Sequence, residues 1–190
     1  MPSSDPCNIP LILKIVCEHK PRTILDVGIG CGKYGLLFRE YLDGHRQGRA
    51  FHDPETWGVH IVGVEVFRPY ITPVHNYIYN KIIIGDICHL LSCGIDKFDL
   101  IFLGDIIEHF NKEEGRAVLL SLGGRLTPNG MILVSTPNFE SNWSKPMPFG
   151  NEHERHHCRW TIEDFAAVPT FAVSSHDCGR LLTVEMRRAA

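Results

Sequence analysis

The feature that most limits how this chain can fold is a series of short, almost wholly apolar runs. They are RTILDVG (22–28), VHIVGVEVF (59–67), KIIIGDI (81–87), FDLIFLG (98–104) and MILVSTP (131–137). A strand with one face in water alternates apolar and polar residues, whereas a strand covered on both faces reads as a continuous apolar run. Between the runs lie stretches of helical spacing. NIPLILKIVCEH has Asn8 as an N-cap and Pro10 in the first turn, KYGLLFREYLD (33–43) has Leu36, Leu37, Phe38 and Tyr41 in register, and a further helix is expected over roughly 111–125. Strands interleaved with helices predict an α/β protein, a doubly wound and mainly parallel sheet covered on both faces. LTPNG is a turn signal before the fifth run, TIEDFAAV a short capped helix, and TFAVSSHDCGRLLTVEMRR two strands around a DCG turn, hence a C-terminal antiparallel hairpin. Residues 44–58 read as a loop insertion and 137–160 as a loop on the acceptor side, all within a single domain, 1–190.

Composition removes several function classes. The chain has 190 residues, 44% of them apolar and 22% charged, as in an ordinary soluble domain. A net charge of −3 gives no electrostatic reason to bind polyphosphate or an acidic membrane. Seven cysteines, odd in number and without a CxxC pair, read as reduced thiols in a cytoplasmic protein. The apolar run near the start is too short and too interrupted to span a membrane. Nothing in the sequence fixes an oligomeric state.

In sheets of this kind the ligand sits at the carboxyl ends of the strands. Four successive runs carry an acid there: Asp26, Glu65, Asp86 and Asp105. The first opens DVGIGCGKYG (26–35), where Gly28, Gly30 and Gly32 allow tight turning and close approach of backbone to a ligand. GxGxxG also occurs, at Gly30, Gly32 and Gly35, so a nicotinamide dinucleotide must be weighed. It starts two residues late relative to the strand, and Asp26 would repel a pyrophosphate. The same aspartate suits an ammonium group, Glu65 the two hydroxyls of a ribose, and Asp86 an exocyclic adenine amine. Together these describe S-adenosylmethionine.

ILDVGIGCG, VGVEVF, IIIGDI and FDLIFLGDIIEHF resemble the corresponding motifs of class I S-adenosylmethionine-dependent methyltransferases, over nearly the whole chain. The resemblance implies a Rossmann-like methyltransferase fold. It places Asp26, Gly28 and Gly30 on the methionine portion, Glu65 on the ribose and Asp86 with Ile87 on the adenine, with Gly32 and Gly104 also bordering the cofactor.

The segment LGDIIEHFNKEEG brings Asp105, Glu108 and His109 together just past the fourth run. One reading makes the acids helix-start residues stabilised by the dipole. The other joins them to NEHERHHCRWTIEDF (151–165), where histidines crowd before Trp160 and Thr161. An acid, two residues, Glu-His and a distant histidine before Trp-Thr resembles the small-RNA 3′-terminal 2′-O-methyltransferases, whose acids and histidines hold a divalent metal. By that resemblance Asp105, Glu108, His109 and His156 are catalytic, and Glu108, His109 and His156 are metal ligands. Asp105 stands where the pattern usually has the longer glutamate. Manganese, iron, cobalt or zinc suits such a ligand set better than magnesium. Without metal, His109 or His156 is a candidate general base.

The function expected first is O-methylation of a hydroxyl on a small metabolite or sugar. RNA ribose methylation is the alternative, with only Arg39, Arg46, Arg49, Arg155 and Arg159 available for a basic patch. A donor-binding module without catalysis and a nicotinamide-dependent dehydrogenase complete the set. Cys31 reads as structural. Trp143 and Phe149 are candidates for an acceptor pocket or for covering the core.

Overall fold

A computed structural model describes residues 5–45, 53–139 and 150–189. Trp143, Phe149, Arg46 and Arg49 lie outside the described residues, as do parts of the 44–58 and 137–160 loops. Seven strands form one sheet: β1 (Thr23–Val27), β2 (His60–Glu65), β3 (Lys81–Ile84), β4 (Phe98–Gly104), β5 (Leu126–Pro137), β6 (Phe171–Asp177) and β7 (Leu181–Arg188). Their order is β3-β2-β1-β4-β5-β7-β6. The pairs among β1 to β5 are parallel, and β7 runs antiparallel to both β5 and β6. The chain walks outward from β1 through β2 to β3, then returns to lay β4 on the other side of β1. That reversal opens a crevice beyond the carboxyl ends of β1 and β4.

The continuous apolar runs are explained by two cores. Leu25, Val27, Val62, Val64, Ile101, Leu103, Ile132 and Val134 face one side, with Val118, Leu119 and Leu122 of α5 (Lys112–Gly123), Trp160, and Phe165 of α6 (Ile162–Ala166). Ile24, Ile61, Leu100, Phe102, Met131 and Leu133 face the other, with Ile12, Ile15 and Val16 of α1 (Ile9–His19) and Phe38 of α2 (Lys33–Phe38). The remaining helices, α3 (Pro73–Ile78) and α4 (Ile87–Cys93), connect β2 to β3 and β3 to β4. Among the described residues, no helix is long and apolar enough to cross a membrane.

Four local expectations are corrected. The helix expected over 33–43 stops as an α-helix at Phe38 and continues as a π-helical stretch, Arg39–His45. This stretch carries Arg39 and Asp43, both fully buried. The LTPNG turn lies within β5. Pairing with β4 jumps from Phe98–Leu126 to Leu100–Met131, so the turn bulges out of a strand that resumes beyond it. Asn8 does occupy the N-cap of α1, but its side chain makes no capping bond. It is buried and donates from Nδ2 to Ser135 Oγ at 2.7 Å. Finally, Asp105 and Glu108 are not at the start of α5. Asp105 precedes a 3-10 turn (Ile107–His109) and Glu108 lies within it, while α5 starts later under an Asn111–Glu114 capping box.

Candidate active site

The glycine loop after β1 is held by tertiary contacts invisible in its own sequence. Gly28 has φ +72°, and a side chain there would collide with Ile106, whose Cδ1 lies 2.0 Å from the position of a Cβ. Ile106, from the segment after β4, therefore lies against the loop backbone. His75 of α3 is fully buried and accepts at Nδ1 from the Thr72 backbone N–H at 3.0 Å. Its Nε2 thus carries the proton, which it donates to the Gly30 carbonyl at 3.0 Å. Gly32 caps α2 at φ +80° and faces His75 and Ile78.

Asp26 is buried at the end of β1 and accepts from the Tyr79 hydroxyl at 2.7 Å. Burial pushes its carboxyl up to about 7, against the opposing effect of that hydroxyl. Gly35 makes the contact possible, since a Cβ there would lie 2.3 Å from the Tyr79 oxygen. The third glycine of the apparent GxGxxG is thus a packing glycine. Glu65 accepts from the Gly30 N–H at 3.0 Å and the Phe67 N–H at 2.9 Å, one bond to each oxygen. Burial raises its pKa, opposed by those two N–H groups. Each oxygen keeps a lone pair for a further donor.

Asp26 and Glu65 line a cavity of about 510 Å³ together with Gly28, Gly30, Val66 and Gly104. An adjoining cavity of about 160 Å³ is bordered by Val64, Val66, Asp86, Ile87, Ile106 and Phe110. Asp86 is exposed and accepts from the Cys88 N–H at 2.8 Å, which caps α4. Gly32 is not among the residues lining either cavity. Val66 and Ile106 border both, and sequence reading missed them. Their signal is slight, since each is one apolar residue directly after a strand-end acid.

On the other side of the large cavity the turn after β4 and the segment after β5 bring Glu108 and His109 to His156, so that one ligand atom from each lies within 4.8 Å of the others. Glu108 is 1% exposed. Its Oε2 accepts from Thr136 Oγ1 at 2.9 Å, and its Oε1 is buried with no partner among the described residues. His109 donates from Nδ1 to the Arg155 carbonyl at 3.1 Å, which leaves Nε2 as the lone-pair nitrogen of the neutral ring. The His156 ring stands edge-on to it, with centroids 4.9 Å apart. Burial pushes the Glu108 carboxyl well above its usual range, with the charge of Asp105 adding to the effect. Burial also lowers His109, and it lowers His156 to about 4 with His109 contributing. A carboxylate with an orphaned oxygen beside two neutral imidazoles is a donor set that fits a divalent transition metal.

Asp105 also lines the cavity, outside that triad. Its backbone is left-handed at φ +55°, held by its N–H to the Ser135 carbonyl at 2.8 Å, and its Oδ1 accepts from Ser135 Oγ at 2.9 Å. Asn8 stands behind Ser135, and the Tyr34 hydroxyl donates to Asn8 Oδ1 at 3.2 Å. Thr136, Ser135 and Asn8 were not foreseen, because their role comes only from the packing of β5 beside β4.

No protein-family model matches the chain, and no curated protein matches it either. Solved structures do. An O-methyltransferase family protein from Burkholderia thailandensis superposes with a TM-score of 0.64 at 17% identity, over 96% of this chain and 56% of that one. The chain thus spans little more than half of that relative's length. DhpI in complex with SAH gives 0.68 at 11% identity, over 96% and 83% of the two chains. The plantazolicin methyltransferase BpumL in complex with SAH gives 0.67 at 14%, over 98% and 86%. The chain has the methyltransferase fold. Identities this low concern the fold alone; activity and acceptor rest on the site.

Proposed function

We propose that the protein is an S-adenosylmethionine-dependent O-methyltransferase acting on a hydroxyl of a small metabolite or sugar, assisted by a metal on Glu108, His109 and His156. The observation that carries this reading is the orphaned Glu108 oxygen, buried beside two imidazoles on the wall of a cavity whose opposite end suits the donor. In the reading, Asp26 receives the donor's ammonium, Glu65 the ribose hydroxyls, and the pocket by Val66, Asp86, Ile87 and Ile106 the adenine. Methyl transfer from a sulfonium is an in-line displacement, so alignment of the two substrates supplies much of the rate.

When bound, a divalent ion supplies Lewis-acid polarisation of the acceptor hydroxyl. The chain's own part is positional. Thr136 fixes one Glu108 oxygen and turns the other toward the histidines, and the Arg155 carbonyl fixes the His109 tautomer. The depressed basicity of His156 and His109 favours ligation over general-base catalysis, because a neutral imidazole with a low pKa is a weak proton acceptor.

An RNA acceptor is less well supported. Six lining residues of the large cavity are acids (Asp5, Asp26, Glu65, Asp105, Glu108 and Glu154) against Lys33 and Arg180. Of the five arginines available for a basic patch, the three among the described residues are buried or engaged by neighbours. Arg39 is fully buried, Arg155 pairs with Glu152 at 2.7 Å, and Arg159 donates to Asn138 at 2.7 Å.

The test is calorimetric titration of metal-stripped protein with S-adenosylmethionine and SAH, with and without manganese, followed by a screen of hydroxylated acceptors. His156→Ala is expected to lose the metal event and turnover while keeping donor affinity. Full turnover in that variant removes the histidine from the mechanism.

A further inference from the structure

The segment after β5 that carries His156 also reaches the opposite end of the cavity. On one side it is pinned to the catalytic turn, where the His157 N–H donates to the Glu108 carbonyl at 2.8 Å and the Arg155 carbonyl receives His109. On the other, Asn151 and Glu154 line the cavity together with Tyr70 and Glu65. Asn151 is 2% exposed. Its Oδ1 accepts from the His153 N–H at 3.1 Å, and its Nδ2 donates to Glu154 Oε1 at 3.3 Å, which steadies that carboxylate.

Tyr70 is 6% exposed, with its ring edge-on to Phe67 at 4.9 Å. Its hydroxyl is buried and makes no hydrogen bond of good geometry among the described residues, with the Asn151 and Glu154 side chains its polar neighbours. A buried hydroxyl without a well-formed hydrogen bond asks for an explanation, and a ligand in the cavity that Tyr70 lines supplies one. A ribose hydroxyl both donates and accepts. Glu65 only accepts, and so leaves the lone pairs of the ribose oxygens unanswered. The O–H of Tyr70 supplies the missing donor, and Glu154 adds a second acceptor.

We infer that Tyr70 and Glu154 form a second grip on the donor's ribose, facing Glu65, so that donor binding steadies the 151–157 segment, which already holds His156 beside His109. This rests on the donor reading given above. Glu154 and His156 are two residues apart on one short strap, so the nucleoside and the methyl acceptor are organised by the same piece of chain. Order in the strap and donor affinity are then linked in both directions.

The test is titration of wild type, Tyr70→Phe and Glu154→Gln with SAH and with methylthioadenosine, which keeps the nucleoside and lacks the amino-acid head. Amide exchange of 151–158 is followed with and without SAH. Each variant is expected to bind both ligands about fivefold to tenfold more weakly, the effect of one hydrogen bond. SAH should slow exchange in the strap of wild type and do so less in the variants. Tyr70→Phe removes a hydroxyl with no well-formed hydrogen bond, so its melting temperature should change little. Equal affinity of wild type and both variants for SAH overturns the second grip and leaves the donor reading standing. A wild type that fails to bind SAH overturns the donor reading, and this inference with it.

Discussion

Two carboxylates are buried to nearly the same degree in this molecule, Asp43 at 0% and Glu108 at 1% exposure, and their surroundings could hardly differ more. Asp43 is fully answered. Its Oδ1 accepts from the Gly58 and Val59 N–H groups at 2.7 and 3.2 Å, and its Oδ2 pairs with Arg39 Nη1 at 2.8 Å. Arg39 is answered in turn by the carbonyls of Val59 and Ile78 and by Asn80 Oδ1, with its guanidinium over the Trp57 ring. Glu108 has one oxygen on Thr136 and one on nothing. Burial is common to both; only the unfinished one faces a cavity. The contrast separates a group that holds the π-helical stretch to β2 and β3 from one that leaves an oxygen unbonded beside two imidazoles.

The largest expected effect concerns the finished pair. Arg39→Ala leaves Asp43 charged and uncompensated, and should cost about 3–5 kcal/mol in a denaturant titration. Whatever fraction remains folded should bind SAH as wild type does. A variant of full stability with lost donor binding would reverse the contrast between the two acids.

Glu108→Gln should behave in the opposite way. Removal of an outer-shell partner typically costs about 10–100-fold in metal affinity, so loss of the charged ligand itself should exceed about 100-fold. Stability should hold or rise. The folded-state pKa of Glu108 lies above its unfolded value, so its ionisation works against folding as pH rises, and the amide has no such penalty. Manganese titration and melting curves at pH 6 and pH 8 read both effects.

The smallest effect sharpens the comparison with a third buried acid. Asp26 has one hydroxyl bond and a pKa of about 7. An ammonium group favours its ionised form, so donor binding expels a proton. SAH affinity should weaken by up to about tenfold per pH unit below 7 and level off above it. The free protein should lose stability as pH rises toward 7, since the folded pKa is the raised one, and Asp26→Asn should flatten both profiles.

How much of this was legible in the sequence depends on how far a residue's meaning lies from its neighbours in the chain. β1, β2 and β4 declare themselves, because burial on both faces leaves little room for polar residues, as in Ile61 to Val64 and Leu100 to Leu103. The hairpin of β6 and β7 was legible from its turn. The turn at LTPNG was not legible as a bulge, because the strand resumes only through pairing with Leu100. Nor was the π-helical stretch, which holds Arg39 where carbonyls of two distant segments converge. At the site, Glu108, His109 and His156 were legible as residue types in a pattern. Tyr79, Tyr70, His75, Thr136 and Ser135 are ordinary polar residues, and each acquires its task only when another element arrives within hydrogen-bonding reach.

Asn8 carries one further consequence. It lies upstream of every strand and at the very start of α1, yet its amide is tied through Ser135 to Asp105. A shortened chain beginning at Ile9 would retain the whole sheet, both cores and every residue of the metal triad. It would lose the outer anchor of an aspartate already held in a left-handed backbone. Trimming this protein past Asn8 is therefore an intervention in the candidate site, made from a helix start that touches no strand end in sequence.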